Sequence, residues 1–326
     1  MEEMKQLIDK AKKIVITTHK NPDGDAIGSS LAFFHFLKNI KKNDVEVIVP
    51  DSFPYFLYWM TDADKVICYD KEKEQADKLF SDADLIFSLD YNALERVGDM
   101  AEAIKNASAI KIMIDHHQDT QGFANHYFVD TDCCSTAQLV YEFIEKLEET
   151  KNITKNVAEC LYCGIMTDTG SFRYPSTTAK THKIIAHLID SGADNAKIHQ
   201  AVFDNNTTDR LRLLGFALTN KMKVFAEKGF AYISLSQDEL KQFNFKKGDT
   251  EGLVNYPLSI QGIKFSVLLT EKEKDISISF RSKDDVFVNE FAKTHFQGGG
   301  HFYAAGGKSD LTMDETIKKL EKLMMY

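Results

Sequence analysis

The sequence predicts an α/β protein with an N-terminal domain, whose mainly parallel sheet is flanked by helices, and a smaller α+β C-terminal domain. Over the first half, short β-branched runs alternate with helical patterns, which is typical of βα units in an α/β sheet. After residue 221, hairpin patterns replace that alternation. The chain has 326 residues, and domains of roughly 100–200 residues each make two domains the expected number.

The first half is predicted to contain four strands. Their runs, such as the one that begins at Lys13, are almost continuously apolar, which indicates parallel strands buried on both faces. The predicted strands are residues 13–19, 45–49, 83–90 and 109–115. Apolar residues at helical spacing, for example Leu31, Phe34 and Leu37, predict the helices. The predicted helices are residues 26–40, 135–147, 154–166 and 178–191.

A change of pattern near residue 192 separates the two halves. We place the N-terminal domain at 1–191, a helical linker at 192–220 and the C-terminal domain at 221–326. The C-terminal domain is predicted to contain two hairpins, two helices and a glycine run between the helices. The hairpins are expected around Lys228-Gly229 and over 263–282, and the helices over 285–295 and 313–324.

Charge and composition exclude several classes of protein. Lys plus Arg number 40 and Asp plus Glu number 49, which gives a formal charge of −9. This balance argues against long duplex nucleic acid as a partner, because such binding relies on many contacts between basic side chains and phosphates. The longest apolar run is too short to cross a bilayer, and the N-terminus lacks the apolar core of a signal peptide. Five scattered cysteines are typical of free thiols. We therefore expect a cytoplasmic protein with no membrane partner.

Acidic and imidazole side chains follow three of the predicted strands. His19 ends the first predicted strand, Asp90 ends the third, and Asp115, His116 and His117 end or follow the fourth. In parallel α/β sheets, ligands bind outside the carboxyl ends of the strands, so these side chains are expected to meet. The candidate metal ligands are His19, Asp23, Asp25, Asp90, His116 and Asp168.

This mixture of carboxylates and imidazoles suits Mn²⁺, Mg²⁺ or Zn²⁺. The candidate ligands are too many for one tetrahedral ion and sufficient for two. Two ions about 3.5–4 Å apart stabilise both oxygens of a phosphoryl displacement and lower the pKa of a bridging water. Gly24 is expected to allow a tight loop that turns Asp23 and Asp25 inward. For any single carboxylate, such as Asp90, the alternative is a helix cap or a turn residue.

The other histidines and the cysteines are assigned structural roles. Cys160 and Cys163 have the spacing of a zinc-binding pair but lack a second pair, so packing within a helix is the preferred interpretation. Ser135 and Thr136 are expected to cap a helix. The histidines assigned to structural positions are His35, His126, His182, His187, His199 and His295.

Four motifs of the N-terminal half resemble those of the DHH phosphoesterase superfamily. They are HKNPDGDAIGS from His19, SLDYN around Asp90, DHH from Asp115 and TDTGSF from Thr167. GGGHFYAAGG from Gly298 resembles the glycine-rich signature of the DHH-associated C-terminal domain. TDTGSFRYPSTTAKTH and SFRSK are similar to the stand-alone branch of oligoribonucleases and pAp phosphatases.

The resemblance implies a role for each residue of the N-terminal site. It implies two manganese ions that share Asp90 as a bridging ligand, with Mg²⁺ or Co²⁺ as substitutes. The implied ligands are His19, Asp23 and Asp90 for one ion, and Asp25, Asp90, His116 and Asp168 for the other. His117 is implied to contact the substrate phosphate or to protonate near it, and Asp115 to orient a histidine.

The resemblance also implies a phosphate-binding clamp. Glycine N–H groups can surround an anion, and an arginine offers a bidentate fork. The assigned residues are Arg281, Ser282, Lys283, Gly299, Gly300 and His301, with Arg173 from the N-terminal domain. The alternatives are that the glycines turn the chain, that Arg281 caps a strand and that Arg173 makes a surface pair. Phe296, Phe302 and Tyr303 are either a base-stacking face or core aromatics.

The implied function is manganese-dependent hydrolysis of short RNA oligonucleotides to mononucleotides and of 3′-phosphoadenosine 5′-phosphate (pAp) to AMP. A clamp on one end of the substrate, with metals at the other, would favour short chains and small bisphosphates. The alternative enzyme is a soluble phosphodiesterase for cyclic dinucleotides, such as c-di-AMP, or for linear dinucleotides such as pApA. A nucleotide sensor without catalysis is disfavoured because no candidate ligand is missing. The preferred substrate, the direction of cleavage and the presence of a homodimer stay open.

Overall fold

The computed structural model describes residues 1–40 and 44–325. It divides the chain into two compact units, Met1–Asn205 and Asn206–Tyr326. The division falls within the segment 192–220, which the sequence assigns to a helical linker. Most of that segment is helical, and its helices are shared between the two units.

The first unit is built on a six-stranded sheet in which every neighbouring pair of strands is parallel. Its strands are β1 (Lys13–Thr17), β2 (Asp44–Val49), β3 (Ile67–Cys68), β4 (Leu85–Leu89), β5 (Ile110–Asp115) and β6 (His126–Val129). The strand order is β3-β2-β1-β4-β5-β6, so the order reverses between β1 and β4. In open α/β sheets, such a reversal opens a ligand-binding crevice at the carboxyl ends of the two strands.

The four strands predicted from the sequence are confirmed as β1, β2, β4 and β5. Apolar clusters cover both faces of the sheet: along β1, Ile14 and Ile16 belong to one cluster and Val15 to the other. The short strands β3 and β6 were not predicted. β6 lies at the sheet edge and is only partly buried, so it lacks the apolar run that marks an inner strand.

Helices pack on both faces of this sheet. They are α1 (Glu2–Lys10), α2 (Gly24–Asn39), α3 (Lys73–Asp82), α4 (Ala101–Asn106), α5 (Thr136–Lys146), α6 (Lys155–Asp168), α7 (Ala179–Asp190) and α8 (Asn195–Phe203). The predicted helices are confirmed as α2, α5, α6 and α7. Helices α3 and α4 cover one face of the sheet, and α1, α2, α5 and α6 cover the other.

Helices α2 and α6 approach closely because glycines lie at their contact. A Cβ atom at Gly28 would lie 2.6 Å from the carbonyl oxygen of Cys160, and one at Gly24 would overlap the side chain of Thr167. Gly24 is the first residue of α2, so the expectation of a tight loop between Asp23 and Asp25 is wrong. Glycine is needed at this position because a side chain would not fit, and not because the backbone must be flexible. Cys160 and Cys163 are buried free thiols within α6, which confirms the packing interpretation.

The second unit contains a mixed six-stranded sheet in the order β11-β12-β10-β9-β8-β7, in which only the pair β8 and β9 is parallel. Its strands are β7 (Met222–Phe225), β8 (Phe230–Leu235), β9 (Phe265–Glu271), β10 (Ile276–Ser282), β11 (Gly299–His301) and β12 (Ala304–Ser309). Its helices are α9 (Thr208–Phe216), α10 (Gln237–Gln242), α11 (Asn289–His295) and α12 (Met313–Met325). An aromatic core that includes Phe265, Phe280 and Phe296 packs against α11 and α12.

Both predicted hairpins are confirmed, as β7–β8 and β9–β10. The helix expected over 285–295 begins only at Asn289. The glycine run, for which the sequence predicts no strand, contains one, because Gly299–His301 forms strand β11 against β12. Glycine has a low strand propensity, so nothing in the local sequence marked this strand. No helix among the described residues is both long and apolar enough to cross a membrane.

Candidate metal centre

Three neighbouring strands of the first unit bring candidate ligands to the crevice between β1 and β4. His19 follows β1, Asp90 follows β4 and His116 follows β5. Asp90 has a positive φ of 65°, a left-handed conformation that costs a non-glycine residue about 1 kcal/mol. The fold thus holds this carboxylate in place against a local conformational preference.

The two oxygens of Asp90 face different histidines. Its Oδ2 lies 3.4 Å from Nε2 of His19, and its Oδ1 lies 3.5 Å from Nε2 of His116. All three side chains are buried. In this arrangement each oxygen lies near a separate histidine, so the carboxylate can bridge two cations.

Backbone carbonyls fix the orientation of both imidazole rings. Nδ1 of His19 lies 2.9 Å from the carbonyl oxygen of Lys20, and Nδ1 of His116 lies 3.2 Å from that of Cys133. Because a carbonyl oxygen only accepts hydrogen bonds, each Nδ1 is assigned the proton. In the neutral ring, Nε2 then directs its lone pair towards the carboxylates, as in a histidine metal ligand.

The six candidate ligands form two compact groups, within each of which the ligand atoms lie within 4.8 Å of one another. The groups are His19, Asp23 and Asp90, and Asp25, His116 and Asp168. In the second group, Nε2 of His116 lies 3.5 Å from Oδ2 of Asp168 and 3.9 Å from Oδ2 of Asp25. The structure therefore brings all six together, in the two sets that the family resemblance implies.

The N-terminus of α5 holds two of these carboxylates. The backbone N–H groups of Thr136 and Ala137 donate to the two oxygens of Asp25, at 2.7 and 2.8 Å. The hydroxyl of Thr136 donates to Oδ1 of Asp90 at 2.9 Å. Ser135 caps the helix as predicted. Because the first N–H groups of a helix stabilise negative charge, α5 helps to keep both buried carboxylates in position.

Asp23 caps a helix and also lies in a candidate metal-binding group, the two roles that the sequence left as alternatives. Its Oδ1 accepts hydrogen bonds from the N–H groups of Asp25 and Ala26, both at 3.0 Å, and caps α2. The same oxygen lies 3.9 Å from Nε2 of His19. Since a carboxylate has two oxygens with about four lone pairs, the cap leaves Asp23 able to bind a cation.

The buried charges strongly shift each other's pKa. Burial, with repulsion from Asp90 and Asp168, raises the pKa of Asp25 well above its usual range. Burial also acts to raise the pKa of Asp90, but hydrogen bonds with His116 and His19 outweigh it and hold that pKa well below its usual range. Burial acts to lower the pKa of His116, and the hydrogen bond to Asp90 with the charge of Asp168 more than reverses this, so that the pKa is raised well above its ordinary value.

The donor set fits a pair of divalent cations. Four carboxylates and two correctly oriented imidazoles provide the mixed oxygen and nitrogen ligands that Mn²⁺ and related ions accept. The carboxylates outnumber the imidazoles, and bound cations would neutralise this excess of negative charge. A site of this kind can activate a phosphate ester towards attack by water.

His117 and Asp115 form a hydrogen-bonded pair beside the ligands. Nδ1 of His117 lies 2.8 Å from Oδ1 of Asp115 and 3.6 Å from Oδ1 of Asp90. Burial and the charge of Asp90 raise the pKa of Asp115 to about 6. The structure thus places Asp115 where it can orient the ring of His117.

Some features of the site were not predicted from the sequence. The hydroxyl of Thr136 and the carbonyl of Cys133 contact candidate ligands, although both residues lie far from those ligands along the chain. The carbonyl of Arg96 accepts a hydrogen bond from the N–H of Lys20 at 2.7 Å, which places Arg96 beside the loop that carries His19. No motif marked Arg96, and only the spacing from Asp90 on a strand-end loop could have drawn attention to it.

In the second unit, the candidate phosphate-binding residues differ in the hydrogen bonds that they already form with the protein. Nη1 of Arg281 donates to the carbonyl of the preceding residue at 3.0 Å, and Arg281 forms no ion pair within the described part of the chain. The hydroxyl of Ser282 donates to the carbonyl of Val286 at 2.6 Å, and Nζ of Lys283 donates to that of Leu258 at 2.7 Å. Of the two cationic residues, Arg281 has more N–H donors left for an anion, because a guanidinium carries five and an ammonium three.

The remaining candidates lie on β11 and after α6. Gly300 has a φ of 144°, and a Cβ there would lie 2.6 Å from a backbone carbonyl of β12, so strand pairing by itself requires a glycine. Gly299 has open space around it, and His301 ends the strand. Arg173 is exposed, with its guanidinium 5.7 Å from the ring centre of Tyr174.

The family of the chain follows from comparison with known proteins. Residues 13–165 match the N-terminal domain of the DHH family, and residues 227–325 match the DHHA1 domain. The chain belongs to the DHH phosphoesterase family, as its motifs indicate.

The most similar relatives include proteins of one name. The bifunctional oligoribonuclease and PAP phosphatase NrnA of Bacillus subtilis is 29% identical over 95% of this chain and 93% of that protein. The NrnA of Thermus thermophilus is 30% identical over 94% of this chain and 87% of that protein. The crystal structure of an exopolyphosphatase-related protein from Bacteroides fragilis superimposes with a TM-score of 0.94, at 41% identity, over 99% of this chain and 95% of that chain. RecJ of Thermus thermophilus, in complex with Mn²⁺, shares the fold at 11% identity and a TM-score of 0.53, over 99% of this chain and 54% of that chain.

Proposed function

We propose that this chain hydrolyses short RNA oligonucleotides to mononucleotides and converts pAp to AMP, with Mn²⁺ as its preferred metal. The observation that carries the proposal is the pair of ligand groups around Asp90, at the reversal of strand order in the first sheet. The names of the relatives from B. subtilis and T. thermophilus support the choice of substrates. The five buried free thiols accord with the reducing cytoplasm, which is the location we propose.

The six ligands are proposed to act as two overlapping sets. Bound divalent cations would supply Lewis-acid stabilisation of the phosphate and a water of lowered pKa. Asp90 would contact both cations, since its two oxygens face the two sets. The other ligands are His19 and Asp23 for one cation, and Asp25, His116 and Asp168 for the other.

His117 is proposed to supply the proton for the leaving oxygen. When water adds to phosphorus, the bond from phosphorus to the leaving oxygen breaks, and that oxygen must take up a proton. Asp115 fixes the ring of His117 through Nδ1, so the proton would come from Nε2. A ring held in one orientation transfers this proton more readily than a mobile one.

In the second unit, Arg281 and His301 are proposed to bind a substrate phosphate. Both residues pair with Ala304 of the intervening strand, Arg281 from β10 and His301 from β11. Cross-strand pairs lie on the same face of a sheet, so the two side chains share one face. We propose that Gly299 and Gly300 shape the surface there. Ser282 and Lys283 are proposed as further contacts of this unit. Arg173, in the first unit, is proposed separately as a substrate contact.

Hydrolysis of cyclic or linear dinucleotides is a second candidate activity. The cyclic-di-AMP phosphodiesterase PdeA of Listeria monocytogenes is 25% identical over 97% of this chain, and the chain spans 48% of that protein. The two activities would use the same metal chemistry and would differ in the substrate that is bound.

A parallel assay tests the proposed function. Purified protein is incubated with Mn²⁺, Mg²⁺ or Co²⁺ and offered an RNA dinucleotide, an RNA pentanucleotide, a long RNA, pAp, pApA and c-di-AMP. We expect the short RNAs and pAp to be consumed, fastest with Mn²⁺. Consumption of c-di-AMP or pApA alone would favour the second candidate, and no consumption of any substrate would contradict both.

Variants link the activity to the site. Asp90→Asn keeps the shape of the side chain and removes its charge, so turnover should fall by a factor of at least about a thousand, while Asp64→Asn, at an exposed position of the same unit, should keep wild-type turnover. Retained activity in Asp90→Asn would show that the hydrolysis occurs elsewhere.

A further inference from the structure

The tip of the β11–β12 hairpin carries exposed aromatic rings. Phe302 and Tyr303 are the two residues that join the strands, at positions where short hairpins usually carry Asn, Asp or Gly. Phe302 is 46% exposed and Tyr303 is 36% exposed. The ring of Phe287, itself 53% exposed, lies with its centre 5.3 Å from that of Phe302 and 5.8 Å from that of Tyr303. We call Phe287, Phe302 and Tyr303 the aromatic patch.

Phe296 does not belong to this surface. The sequence groups it with Phe302 and Tyr303 as a stacking face or as core, and the structure separates them. Phe296 is 1% exposed and packs against Phe280 in the core, so a stacking role is wrong for Phe296. Phe302 and Tyr303 do not belong to this core. Packing therefore does not explain why aromatic residues occur at these exposed positions.

The backbone beneath the patch is fixed from two sides. The N–H of Ser282 donates to the carbonyl of Tyr303 at 3.0 Å, and the N–H of Val288 donates to the carbonyl of Phe302 at 2.7 Å. A surface held in this way loses little conformational entropy when a ligand binds. Clustered exposed aromatic side chains on a fixed backbone are typical of a binding surface.

The charges around the patch favour an anionic ligand. The exposed Glu290 lies three residues after Phe287, and the segment 281–285 with its ion-pair partner contributes three basic and two acidic side chains. These side chains are Lys264, Arg281, Lys283, Asp284 and Asp285. Lys264 pairs with both acids, at 3.6 and 2.9 Å. Because Lys264 engages both acids of the segment, Arg281 and Lys283 are left without an ion pair among the described residues. A second copy of this chain would bring the same two cations to the contact, whereas a nucleotide brings a negative phosphate.

We propose that the aromatic patch is a nucleobase-stacking site, which holds a base of a short oligonucleotide while Arg281 contacts an adjacent phosphate. The proposal rests on the proposed function, since it assumes that the substrate carries a base. Every base has a π-face, so stacking tolerates all base sequences but requires that a base be present. Binding should therefore depend on the base and hardly on its identity.

Equilibrium binding in the presence of a chelator tests this proposal separately from hydrolysis. The dissociation constant of the full-length protein is measured for an RNA dinucleotide and for the same dinucleotide with one base removed. The wild type should prefer the intact dinucleotide by about tenfold or more. Phe302→Ala should lose most of this preference and leave the affinity for the abasic analogue unchanged. Phe302→Trp should keep the preference.

Tyr256→Ala provides a matched control, because Tyr256 is an aromatic residue of the same unit, 46% exposed, and lies outside the patch. It should bind both ligands as the wild type does. The proposal is overturned if the wild type shows no preference for the intact dinucleotide, or if Phe302→Ala weakens both ligands equally. It is also overturned if sedimentation shows a wild-type dimer that Phe302→Ala dissociates, since a second copy would then occupy the patch. None of these results bears on whether the metal centre hydrolyses RNA.

Discussion

Asp90 is the residue that connects the two ligand groups. It is buried, and hydrogen bonds with His116 and His19 outweigh the effect of burial and hold its pKa well below the usual range. A buried carboxylate without compensation costs several kcal/mol. The compensation comes from imidazoles on both sides and from the hydroxyl of Thr136. The left-handed backbone at Asp90 adds a further cost. These costs are explained if the carboxylate is held ready for cations.

The contact between Thr136 and Asp90 leads to a prediction on metal affinity. Thr136→Val keeps the shape of the side chain and removes the donated hydrogen bond, so Asp90 should be less well oriented. We expect Mn²⁺ to bind about tenfold more weakly, as measured by calorimetric titration. Thr136→Ser should restore the affinity because it keeps the hydroxyl. If Thr136→Val binds Mn²⁺ as the wild type does, the hydroxyl has no positioning role.

At this scale, the sequence was sufficient for residues that follow a strand or helix end within a motif. The six candidate ligands, which the structure brings together, could be proposed because each lies near such an end. Thr136 could not be assigned its role, because a hydroxyl at a helix start already has an explanation as a cap, and 46 positions separate it from Asp90. Gly24 was assigned backbone freedom, since the sequence does not show that Thr167 packs against it.

Among the elements, the contact of α2 with α6 positions ligands from both helices. Asp25 lies in the first turn of α2, and Asp168 is the last residue of α6. The close approach at Gly28 therefore sets the separation of these two carboxylates. Apolar runs identified the inner strands in advance, whereas the glycine-rich strand β11 and the edge strand β6 depend on partners that are distant in sequence.

A pair of glycine substitutions tests this helix contact. Gly28→Ala would push a methyl group to within 2.6 Å of a backbone carbonyl, so the free energy of unfolding should fall by about 1–3 kcal/mol. Gly215→Ala, in α9, meets no atom within 4 Å and should raise the free energy of unfolding by about 0.5–1 kcal/mol through helix propensity. Denaturant unfolding measures both. Equal effects of the two variants would contradict the packing account.

The carboxylate of Asp84 lies beside the first residue of β1, and we expect it to stabilise the fold in a pH-dependent way. Asp84 accepts hydrogen bonds from the N–H groups of Lys13 and Lys12, at 2.9 and 2.7 Å, and these bonds lower its pKa. A group whose pKa is lowered by folding stabilises the protein above its unfolded pKa, and this stabilisation is lost as the pH falls through the folded pKa.

Asp84→Asn should therefore unfold more easily than the wild type at pH about 7, by about 1 kcal/mol at this exposed site. The difference should shrink as the pH is lowered below about 4. Chemical denaturation at several pH values measures the difference. A difference that stays constant over this range would mean that ionisation of Asp84 does not contribute.

For the whole molecule, the two units divide the chemistry. The first unit carries all six candidate metal ligands on a parallel sheet with a reversal of strand order, and the second carries the proposed substrate contacts Arg281, His301 and the aromatic patch on a mixed sheet. The sequence predicted this division because its motifs are specific to each half. It could not predict the exposure of Phe302 or the burial of Phe296, since both lie near the same glycine run.

Metal binding should stabilise the whole chain. A ligand that binds only the folded state at a concentration 100 times its dissociation constant adds about 2.7 kcal/mol. We expect the melting temperature to rise when Mn²⁺ is added and to return when it is chelated. Asp90→Asn should show a much smaller rise, whereas Asp64→Asn should match the wild type. An equal rise in Asp90→Asn would place the stabilising metal at another site.

The central claim is that two cations are bound on either side of Asp90. Anomalous diffraction at the manganese absorption edge, from crystals grown with Mn²⁺, tests this claim most directly. We expect two peaks about 3.5–4 Å apart, one next to His19 and the other next to His116, with the Asp90 carboxylate between them. A single peak, or peaks away from Asp90, would contradict the account.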